Sequence, residues 1–69
     1  MEQIMKIEKF VREYIGVLSE EHMGKLMGMK PGESHVIAFG ETRKEDVVFV
    51  RVTKHHMAIM SVYEFNGVN

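Results

Sequence analysis

Val47-Val48-Phe49-Val50-Arg51-Val52-Thr53, then Lys54-His55-His56, then Met57-Ala58-Ile59-Met60-Ser61-Val62-Tyr63-Glu64-Phe65, is the stretch that decides the fold. β-Branched and aromatic residues fill both outer runs, and the polar trio between them is short enough to make a tight hairpin. Its register sorts the side chains into two faces. With an even number of loop residues, Val48, Val50 and Val52 share a face with Met57, Ile59, Ser61 and Tyr63. With three loop residues, Val48, Val50, Val52, Ala58, Met60 and Val62 oppose Val47, Phe49, Arg51, Thr53, Met57, Ile59, Ser61 and Tyr63. A one-residue slip exchanges the sides. The second grouping contains one wholly apolar side, which makes it the preferred core.

Upstream, residues 34–39 form a third extended run, joined to the hairpin by the polar connector 40–46. Short connectors imply neighbouring antiparallel strands, so residues 34–65 read as a three-stranded meander. Lys30-Pro31-Gly32-Glu33 has the composition of a type II turn, with proline pre-setting the first central residue and glycine supplying the positive φ of the second.

Before that turn the apolar spacing changes from two to 3.6. Ile4, Ile7, Val11, Ile15 and Leu18 line one side of a helix, flanked by Phe10 and Tyr14, with charged residues mostly opposite. Gly16 marks a weakening or an end. Ser19 reads as the cap of a second helix over residues 20–29, with Glu20 and Glu21 in the first turn. Gly24 and Gly28 weaken that helix, so packing must hold it. The expectation is one α+β domain over residues 1–69, ordered ααβββ. Two N-terminal helices, within residues 2–29, pack on the antiparallel meander.

Composition narrows the function. With 69 residues there is room for one small core, and without cysteine there are no disulfides, thiolate metal sites or thiol nucleophiles. Nine Lys and Arg against ten Asp and Glu give a net charge of −1, so no global field draws the chain to nucleic acid or anionic lipid. The opening residues lack the apolar run of a signal peptide, and the apolar stretch 57–63 is far short of the ~20 residues that span a bilayer. A cytoplasmic protein with no membrane association is the expectation.

The candidate chemistry is sparse. His55 and His56 in a turn, with His35 or Glu41, fall short of a convergent metal set, because neighbouring side chains at a strand end point apart. No hydroxyl stands in a nucleophile motif, and Glu41, Glu45 and Asp46 mix with Arg43 and Lys44 as a solvated loop. No phosphate-binding glycine loop is present. No catalytic residue, cofactor or metal is expected, and the chain reads as non-enzymatic.

Both sheet faces carry large apolar groups, while the helices can cover only one. The other is expected to meet a second copy of the chain, as a homodimer, or a larger protein. The partner surface expected from sequence is Val47, Phe49, Arg51, Met57 and Ile59, rimmed by Arg43 and Lys44, with Phe49 and Arg51 as anchors. Small cysteine-free chains without a site include phage and mobile-element accessory proteins that inhibit or modulate a larger host protein. The alternative is a small DNA- or RNA-binding regulator using Arg43, Lys44, Arg51, Lys54, His55 and His56 on the hairpin.

Overall fold

A computed structural model describes residues 3–67. Pro31 and Gly32 make the expected turn: Gly32 sits at φ 92°, and the Glu33 amide donates to the Lys30 carbonyl at 3.0 Å. On either side of it lie α2 (Glu20–Met27) and β2 (Ser34–Ala38). A 3-10 turn at Arg43–Glu45 leads into β3 (Asp46–Thr53), followed by β4 (His56–Ser61). These three strands form the expected meander. Ser19 caps α2 as its sequence implies, its hydroxyl accepting from the His22 amide at 3.1 Å.

Two elements depart from expectation. Gln3–Lys6 form a strand, β1, rather than the first turn of the helix, and α1 spans only Ile7–Tyr14. β1 pairs with β4, so the all-antiparallel sheet has four strands in the order β1-β4-β3-β2. The third run also ends early: Val62–Asn66 fold into a short helix, α3. Ser61 and Glu64 close a capping box there, the Glu64 amide donating to the Ser61 hydroxyl at 3.1 Å and the Ser61 amide to the Glu64 carboxylate at 3.2 Å. The class is α+β, with helices before and after the meander.

The β3–β4 hairpin turns through Lys54-His55, a two-residue loop. Arg51 nevertheless pairs with Met57 while Thr53 pairs with His56, because Val52 is an extra residue in the ladder. That shift acts like a third loop residue. It selects the grouping with the wholly apolar side, Val48, Val50, Ala58 and Met60, to which β1 adds Ile4 and β2 adds Val36.

The core, however, lies on the other side. Phe49, Met57 and Ile59 are buried, together with Met5, Ile37, Phe10, Leu18 and Leu26. Phe10 stacks on Tyr14 with ring centroids 4.9 Å apart, and both meet Phe49 edge-on at 5.8 and 5.6 Å. Burying one such ring contributes about 1.5–3 kcal/mol, and the edge contacts add ~1 kcal/mol. Bulk explains the choice of side. The gap between sheet and two helices must be filled to crystal-like density, which Phe, Met and Ile can do and a floor of Val and Ala cannot.

Candidate docking face

Arg51 shows most plainly how the sheet is used. Its side chain is buried beside α2. The guanidinium Nη2 donates to the carbonyls of Leu26 at 2.8 Å and Met27 at 3.1 Å, and Nη1 donates to that of Lys54 at 3.3 Å. The Leu26 and Met27 carbonyls are groups that the last turn of a helix leaves without intrahelical partners, and the dipole there favours a cation. The backbone of Arg51 is also engaged. Its amide donates to Glu33 and its carbonyl accepts from Gly32, which anchors the Pro31-Gly32 turn to β3. Arg51 is an internal latch.

The partner surface expected from sequence is therefore corrected. Phe49, Arg51, Met57 and Ile59 expose between 0 and 8 % of their surface beneath the helices, and Val47 is half-buried against the same core. The structure does not bring Arg43 and Lys44 to them as a rim. Both are exposed on the 3-10 turn, whose backbone is closed by a Phe39 amide bond to the Glu45 carbonyl. The Glu45 carboxylate accepts from the Thr42 hydroxyl at 2.9 Å.

The hairpin cations expected to serve nucleic acid are also dispersed. Arg43 and Lys44 precede β3, whereas Lys54, His55 and His56 follow it. The strand between them has 8 residues, which separates the groups by roughly 23 Å. Arg51, between them in sequence, is committed to helix carbonyls. Glu41, Glu45 and Asp46 accompany the first group, so no continuous cationic track results.

The histidines partition differently from their sequence grouping. His56 Nδ1 lies 2.8 Å from the Thr53 hydroxyl, which also accepts from the His55 amide, so these residues stabilise the turn. His35 lies near His22 of α2, with ring centroids 6.1 Å apart. Among the described residues, no three histidine or carboxylate groups are placed to hold a metal ion. Among them, too, no helix is long and apolar enough to cross a membrane.

What remains open is the outer side of the sheet. Ile4, Val36 and Val52 are exposed there, Val50 and Met60 are half-buried, and Phe65 of α3 projects beside them. α3 covers only the end where β3 begins. Val62 and Phe65 share a cleft with Val36, Ala38, Asp46 and Val48, and Val48 is fully buried. At the opposite end Ile4 and Val52 are exposed beside Ser34, Lys6 and His56. Ala58, between Ile4 and Val50, is buried by its neighbours, and among the described residues no helix lies over them. The apolar row is visible in the sequence as Val48, Val50, Val52, Ala58 and Met60; its place on the outside is not.

No family model, curated protein or solved structure matches the chain.

Proposed function

We propose that this chain is a small protein-binding module, without catalytic chemistry of its own, that works by seating the outer face of its sheet on a protein surface. The observation that carries the reading is the half-covered apolar face. An antiparallel sheet with a single solvated side ordinarily alternates to polar residues there. Here its middle is apolar, with Ile4, Val36, Val50, Val52 and Met60, and Lys6, Ser34, Asp46 and His56 stand at its margins. Contiguous apolar surface of this kind marks interaction sites. Its flatness suits covering another protein surface rather than enclosing a small molecule.

A photo-crosslinking side chain at position 36, compared with the same group at Ile15 on the exposed helical side, tests this in the native cell. A defined protein adduct from position 36 but not from position 15 is the expected result. Adducts from position 15 alone, or from neither, would overturn the reading.

A further inference from the structure

Building on the outer face as the docking surface, we propose that its occupant is a second copy of this chain. The two copies are related by a two-fold axis lying between the sheets, parallel to their planes and perpendicular to the strands.

The asymmetry of the face supports this placement. One end is occupied by α3, whose Phe65 stands proud with 45 % of its surface exposed. The other end, around the exposed Ile4 and Val52, has no helix over it among the described residues. An axis across the strands turns each copy end for end, so each α3 lies over that end of its partner's sheet. Both ends are covered by one repeated contact, as an isologous interface requires. An axis along the strands would instead stack α3 on α3 and hold the two Ile4 ends apart.

Charge follows the same geometry. Lys6, Lys30 and Lys54 flank the end with Ile4 and Val52, together with His55 and His56; the acids there are Glu8 in the first turn of α1 and Glu33 just before β2. The α3 end carries Glu41, Glu45, Asp46 and Glu64 against Arg43 and Lys44. A cross-strand axis brings the weakly positive end over the weakly negative one. Because it stacks β3 on its own copy, it sets Lys54, just past the end of β3, opposite Asp46 at its start. With a net charge of −1 per chain, two copies repel little.

The size of the floor sets the strength. Four strands ~4.8 Å apart and about five residues long make a floor of roughly 300 Å², below the ~800 Å² per partner of a standard interface. Even with α3 added, a face this small makes a weak dimer that forms as protein concentration rises.

Sedimentation equilibrium from low micromolar to millimolar protein tests the proposal. The average mass should rise from one chain to two. Ile4→Asp and Phe65→Asp, at opposite ends of the face, should each abolish the rise, with circular dichroism unchanged. Lys54→Glu should weaken the dimer at least several-fold, and adding Asp46→Lys in the same chain should restore it. Restoration is specific to the cross-strand axis, because an axis along the strands leaves Lys54 and Asp46 at opposite ends of the interface. A single-chain mass throughout, or a dimer insensitive to Ile4→Asp and Phe65→Asp, would overturn the proposal. A single-chain mass combined with a position-36 adduct to a different protein would overturn the dimer alone and leave the docking face standing.

Discussion

Arg51 and Leu26 stand 25 residues apart in sequence, yet Arg51 Nη2 meets the Leu26 carbonyl at 2.8 Å. This one charge-assisted bond, with its neighbour to Met27, ties the central strand to the end of a helix that two glycines leave weak. It also explains why an arginine occupies the packed side of a sheet. Its planar fork of donors reaches two carbonyls at the end of α2, of which that of Leu26 also accepts from the Met29 amide at 3.4 Å.

Removing that latch has a measurable cost. Arg51→Met keeps most of the apolar stem and loses the donors, and should destabilise the fold by about 2–3 kcal/mol in urea titration. The melting temperature should fall by roughly 10–20 °C. Arg51→Lys, which offers a compact point charge in place of a planar fork, should recover only part. An unchanged urea midpoint in Arg51→Met would show the bonds to be dispensable.

The two faces should respond oppositely to substitution. Phe49→Ala removes about 3–5 kcal/mol, which equals the whole margin expected of a chain this short, and should leave it unfolded by circular dichroism. Val36→Asp, on the exposed side of an edge strand, should change stability by less than about 1 kcal/mol. A folded Phe49→Ala chain would reverse the assignment of the core.

Gly24 lies inside α2 with open space where a Cβ would stand. Gly24→Ala should therefore stabilise the fold by about 0.5–1 kcal/mol, seen as a higher urea midpoint. A lower midpoint would mean that the glycine serves a close approach absent from this structure.

Tyr14 links the fold to alkaline pH. Burial of its phenol against Phe10 and Phe49, and secondarily the nearby Glu13 charge, raise its pKa above the ordinary value of 10.0. The folded-state pKa is thus above the unfolded one. The neutral phenol's contribution is fully present below the unfolded value and is lost as pH rises through the folded value. Denaturant midpoints should drop across that window, and Tyr14→Phe should lessen the drop. Equal drops in both proteins would separate Tyr14 from the effect.

Much of this architecture is legible in the chain. Ser19 as a cap, Pro31-Gly32 as a turn and the three-strand meander follow from local chemistry that tertiary contacts do not override. β1 is hidden because Ile4, Ile7 and Val11 continue a helical spacing. Over four residues, the alternation Gln3-Ile4-Met5-Lys6 fits a strand equally well, and pairing with β4 decides. α3 does carry a signal, Ser61 followed three residues on by Glu64, masked by the β-branched and aromatic residues around it. The core face is hidden for a different reason. Apolar purity favours Val48, Val50 and Met60, but filling the space below two helices favours bulk. Arg51 can be placed inside only once the carbonyls of α2 are seen above it.

The outer face can be tested against a control already present in the chain. Ile4 on that face and Ile15 after α1 expose 58 % and 67 % of their surface in the single chain, so they should be almost equally open to a soluble paramagnetic agent. Methyl relaxation, recorded as protein concentration rises, compares them directly. Progressive shielding of Ile4 and Val36 while Ile15 and Val17 stay bleached is the result predicted for self-docking through the sheet. Equal bleaching of all four residues' methyls at every concentration would contradict it.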